Sequence, residues 1–222
     1  NTLSSQIKSL LGYASLAGLV RLGKEAIELS SSMVEVQNVV DNVFKEATDD
    51  VNDFCDSAIE KFGLTALEAR NMIGVFGGIL SSSGIVGEAG AEMSKNLTAL
   101  AGDVASFYNM DTAAVFKKLQ SGITGNVAAM RTFGVSMTVA NLEAFALEQG
   151  ISKSYNAMSQ AEKMTLRYNY MLRQLAVAQG DYARTSMTWA NQTRLLANNF
   201  KQFLTIRCGD LVKVFLPTVQ ML

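Results

Sequence analysis

The sequence predicts an all-α protein in which a compact unit of short helices is flanked by long N- and C-terminal helices. Three observations carry this. A single proline stands in 222 residues, where average usage would give roughly eleven, so almost nothing breaks a helix from within. Two capping boxes, Thr65 with Glu68 and Ser159 with Glu162, open helices at defined positions. Gly122, Gly134, Gly150 and Gly180 each follow an apolar-periodic segment, where a residue at positive φ closes a helix without a Cβ clash. The expected division is 1–56 as a long N-terminal helical segment, 57–183 as the compact core, and 184–222 as a long C-terminal helix leading into the rest of a parent chain.

The elements follow in order. From Leu3 to about Phe62 only Gly12, Gly18 and Gly23 dilute the helix formers, which predicts one or two long helices. Thr65 opens a helix from about Ala66 to Ser82, its hydroxyl accepting from one free N–H while Glu68 reaches back to another. Glu88 and Glu92 lie in the first turns of the next helix, opposing the positive end of its dipole. Leu97, Leu100, Val104 and Phe107 carry that helix to about Tyr108. Asp111 caps a short helix ending at Gly122, Asn126 opens one that stops at Gly134, and Thr138 a third that stops at Gly150. The helix opened by Ser159 continues through Tyr170 and Leu175 to Gly180. In the last stretch Trp189, Leu196 and Phe203 are seven apart, with Phe200, Leu204 and Leu211 in adjacent positions. A lone terminal helix cannot cover this seam, which either joins copies of the chain or folds back on the N-terminal helix.

Composition removes most chemistries. With no histidine, the Ser-His-Asp, Cys-His and His-metal constellations are absent. The net charge of -1 and pI near 5.6 argue against direct binding to nucleic acid. Cys55 and Cys208 stand far apart with no paired spacing, which predicts a reduced, intracellular history. Asp49 and Glu60 have the first-to-twelfth spacing of a calcium loop, but Val51 at the third position and Phe54 where the turn needs glycine defeat it. No GK[ST] or GxGxxG cradles a phosphate. Phe107, Tyr108, Tyr155, Tyr168, Tyr170, Tyr182 and Trp189 fall at helical spacing, as core residues do, rather than as a stacking platform. No catalytic, cofactor or metal set emerges, so the chain is expected not to be an enzyme.

Two features remain open. Asn71 to Gly87 carry no charge, Gly74 with Gly78 makes a GxxxG step, and Gly74, Gly77, Gly78, Ile79 and Leu80 are the residues a membrane-active stretch would present. It reads as a buried helix with a close-packing glycine face, or as a membrane-active segment; it is shorter than the ~20 residues of a span. Charge is uneven as well. Residues 25–60 hold ten of the twenty acidic side chains against Lys45 alone, and residues 151–222 hold nine basic ones against Glu162, Asp181 and Asp210. Opposite signs steer copies head to tail, or pair the two ends within one chain. Asn1 in place of an initiator methionine, and the uncapped apolar pattern at Thr218–Leu222, predict a piece of a longer polypeptide with no signal-peptide pattern.

Five segments carry a family resemblance: Met93 to Asp111, Leu119 to Met137, Phe145 to Ile151, Met158 to Leu172 and Gln179 to Gln192. In order and spacing they resemble the core region of tail tape measure proteins of long-tailed bacteriophages and prophages, over residues 57 to 216. The resemblance implies a long helical protein present in several copies in the lumen of the tail tube of the virion, made in the bacterial cytoplasm, whose length sets tail length and which leaves ahead of the DNA. It implies a homo-oligomer, with the tail tube protein, tail tip proteins and tail assembly chaperones as partners. The alternative is a membrane-active helical module that forms or guides a channel for DNA delivery, meeting the host membrane through residues 71–87.

Overall fold

A computed structural model describes the backbone of residues 16–219 and the side chains of residues 24–206. Long helices stand at both ends, α1 (Leu16–Phe44) and α11 (Trp189–Val219). Between them run a 3-10 turn (Lys45–Ala47), α2 (Thr48–Asp56), α3 (Ala58–Phe62), α4 (Ala66–Ser82), α5 (Gly87–Phe107), α6 (Thr112–Ile123), α7 (Val127–Met130), α8 (Val139–Glu148), α9 (Gln160–Gln174) and α10 (Asp181–Thr185). No strand occurs among the described residues. The chain divides into two units, Val36–Asn199 and the described parts of 1–35 and 200–222. The larger one holds the 57–183 stretch together with residues on either side of it.

Both capping boxes form. Thr65 Oγ1 accepts from Glu68 N at 3.1 Å while Glu68 Oε2 accepts from Thr65 N at 2.9 Å, and Ser159 and Glu162 repeat the exchange at 3.2 and 2.6 Å. Asp111, Asn126 and Thr138 cap α6, α7 and α8 through their side-chain oxygens. Two stops differ from expectation. Gly122 lies within α6, where a Cβ would meet Met130 Sδ at 2.6 Å, and the chain turns at Gly125 instead. The Ser159 helix ends at Gln174, because Leu175–Gly180 form successive turns before α10.

In the larger unit α5 is the central element, touching α2, α3, α4, α6, α9 and α10. Leu97, Leu100, Ala101, Val104 and Ala105 are buried on it. Its buried hydroxyls are satisfied within the helix: Ser94 Oγ donates to Gly90 O and Thr98 Oγ1 to Ser94 O. Burying a hydroxyl unpaired costs about 1–3 kcal/mol; here the preceding turn supplies the acceptor.

The uncharged 71–87 stretch lies largely in α4 and works as core. Ile73, Phe76 and Leu80 are buried, and Ile79 packs at the edge of the same cluster. A Cβ at Gly74 would sit 3.1 Å from Val39, and one at Gly77 would strike the ring of Phe44 and Val43 Cγ1. Those two glycines let the end of α1 lie close on α4. Gly78 faces open space. Among the described residues no helix is long and apolar enough to cross a membrane.

Candidate interaction surface

The short helix α10 is anchored by a side chain from far back in sequence. Asp103, buried on α5, accepts from Gly180 N at 2.7 Å and from Tyr182 N at 3.2 Å, one amide on each carboxylate oxygen. The free amides at a helix start need such acceptors. Asp181 accepts from Ser106 Oγ at 2.7 Å. Arg184 donates to the carbonyls of Gln179 and Val177 and lies 3.5 Å from Asp181 Oδ1, tying the turn to its own helix. Burial pushes the Asp103 carboxyl above its ordinary range, and the amides of Gly180 and Tyr182 only partly offset it.

The same cluster fixes the start of α11. Asn191 Nδ2 donates to Thr185 Oγ1 at 2.9 Å, to Thr185 O at 3.1 Å and to Ser106 Oγ at 3.1 Å. One heptad on, Asn198 Nδ2 donates to Gly63 O at 2.6 Å. Gly63 has φ 68° and sits against Tyr182, whose ring a Cβ would overlap. Both asparagines are buried. Sequence reading missed them; the seven-residue spacing of Asn191 and Asn198, two positions behind Trp189 and Leu196, was the available signal.

At 3.6 residues per turn, Trp189 and Leu196 project roughly opposite to Asn191 and Asn198. Their exposures follow: Trp189 is 87% and Leu196 73% exposed, with Met187 beside them at 85%. The start of the helix is therefore inside-out, with asparagines where it is buried and Trp189 and Leu196 where it meets water. A surface helix of a globular domain shows the reverse. In the other unit Phe200 and Phe203 are exposed, whereas Leu204 is only 6% exposed. The expected seam thus loses Leu204, which is buried. Leu211 lies outside the residues whose side chains are described.

The remaining chemistry is sparse. The buried Cys55 thiol is pushed up to about 12 by desolvation, which makes it a poor nucleophile. Tyr155, Tyr168, Tyr170 and Tyr182 are buried. Acidic side chains of α2 find cations on other helices: Arg70 NH2 donates to Asp56 at 2.8 Å, and Lys95 lies 2.7 Å from Asp50 and 2.9 Å from Glu92. Burial draws the Lys95 ammonium down, but its hydrogen bonds to those two carboxylates outweigh this and leave it raised. Among the described residues no group of three His, Cys, Asp or Glu could hold a metal ion. A groove of about 530 Å³ lies between α8 and α9, floored by Phe145, Ile151, Met158 and Leu166. Glu162 on its rim is held down to about 2 by Lys153 and by the amide and hydroxyl of Ser159.

Scans against protein-family models, curated proteins and solved structures find no match.

Proposed function

We propose that this chain is a structural and assembly protein of a phage-type tail, part of a tape measure that occupies the tube lumen in several copies and sets tail length, with no turnover of its own. The observation that carries the assembly role is the inside-out start of α11. Trp189 and Leu196 stand in water while Asn191 and Asn198 are buried opposite them, an arrangement that makes physical sense when the outer face meets a partner. The five segments of family resemblance supply the more specific identity, and Gln179 to Gln192 hold much of the polar cluster that orients this helix. Tail tube, tip and chaperone proteins are the partners this reading entails. A membrane-active role would require α4 to leave its contacts with Val39 and Phe44, so we assign the glycine stretch to the core instead.

The test is a series of in-frame deletions in the parent chain outside residues 57–216. Each deleted helical residue should shorten the tail by about 1.5 Å, measured by electron microscopy. Viable deletions that leave tail length unchanged overturn the ruler role.

A further inference from the structure

The long N-terminal helix breaks at Lys45, and nothing in the local sequence asks for the break. Phe44, Lys45, Glu46 and Ala47 include no glycine and no proline, and Lys, Glu and Ala are strong helix formers. A continuous helix would also place Lys45 four residues from both Asp41 and Asp49, a stabilising spacing. Yet Lys45 sits at φ 48°, in the left-handed region that side chains other than Gly, Asn and Asp rarely enter. The turn of 3-10 helix that follows leads into α2, where Thr48 Oγ1 and Asn52 Oδ1 are buried without a hydrogen-bond partner. In an unbroken helix the Thr48 hydroxyl could bond the carbonyl of residue 44, four positions back.

What imposes the bend is tertiary. Phe44 is buried, and its ring, with Val43, fills the notch at Gly77, while Val39 lies on Gly74. Arg70 Nε donates to Gln37 at 2.8 Å and its NH2 to Asp56 at 2.8 Å, so one guanidinium clasps the segments before and after the bend. Beside the bend lies a cavity of about 680 Å³, lined by Val43, Phe44, Lys45, Ala47, Asp50 and Val86. Local preference and global packing therefore disagree at one place, which is the physical condition for two arrangements.

We propose that Phe44–Thr48 is a two-state joint, held bent by the seat of Phe44 on the glycine face of α4 and straightening into one helix from Val36 through Asp56 when that seat is lost. α2 keeps Val51 and Cys55 in the core, and residues 36–44 are the arm that moves. A ligand or partner acts on such a joint only through a difference in affinity for the two states; the wall of the cavity, which includes Phe44 itself, is where that difference would be felt.

Spin labels on cysteines placed at the exposed Asn38 and Asp53, with Cys208→Ser and the buried Cys55 retained, report the joint directly. A straight helix sets their backbones about 22 Å apart; the bend makes the separation shorter. Lys45→Gly suits the left-handed backbone and should give one short distance with a raised melting temperature. Lys45→Ile, β-branched and ill-suited to that region, should add a population near 22 Å in the folded protein. Should Lys45→Ile fail to fold, Phe44→Leu, which loosens the seat and keeps it apolar, is read the same way. A single short distance in a folded Lys45→Ile or Phe44→Leu chain, matching that of Lys45→Gly, overturns the proposal.

Discussion

Asp103 shows what one side chain does here. Two amide donors converge on its two carboxylate oxygens, and an asparagine can offer only one oxygen. Asp103→Asn should therefore leave either Gly180 N–H or Tyr182 N–H facing an amide donor, costing about 1–3 kcal/mol at pH 7 in urea unfolding. The pH dependence has a defined sign. Burial raises the native pKa above the unfolded value, so the folded state holds this proton more tightly. The stability it lends is full below the ordinary carboxylate range and is lost as pH rises through the native pKa. The asparagine variant should lack that part of the slope. Asp103 was invisible to sequence reading because its partners are far downstream: an aspartate inside a predicted helix looks like a surface residue until the fold brings Gly180 to it.

Elements were legible where their signals are local. A capping box or a single N-cap needs only a few consecutive residues, so Thr65, Ser159, Asp111, Asn126 and Thr138 all open helices where sequence places them. The break at Lys45 and the passage of α6 through Gly122 are set by contacts with α4 and with Met130, and no local pattern encodes those. The glycine face of α4 gives a sharp contrast for testing. Gly77→Ala would drive a methyl into Phe44 and Val43 and should destabilise by about 1–3 kcal/mol. At Gly78 nothing lies within 4 Å, so Gly78→Ala gains only the helix preference of alanine and should stabilise by roughly 0.5–1 kcal/mol. Thermal melts of the two variants should move in opposite directions. A parallel loss in both would mean that the face is not packed as described. The cap gives a third measure: Thr65→Ala should cost about 1 kcal/mol.

At the scale of the molecule, the question is what covers the outer face of α11. Periodicity identified Trp189, Leu196 and Phe203 as a seam but could not say which side of the helix the core takes. The buried asparagines decide it for the first two, and the same argument designs the test. Leu196 is 73% exposed, so Leu196→Asp removes no core contact and should leave helix content and melting temperature nearly unchanged. Placed in an apolar contact between copies, the new carboxylate would be desolvated without a partner. The variant should then be monomeric at concentrations where the parent associates, as read by light scattering over a dilution series. Asn198→Ala supplies the complementary control on the opposite face. It deletes the bond to Gly63 O and leaves a buried carbonyl with one acceptor bond fewer, so it should lower stability by about 1–3 kcal/mol without changing the oligomer below its unfolding transition. A parent chain that stays monomeric throughout the series rejects self-association through this face. A Leu196→Asp chain that associates as the parent does rejects the assignment of this residue to the contact.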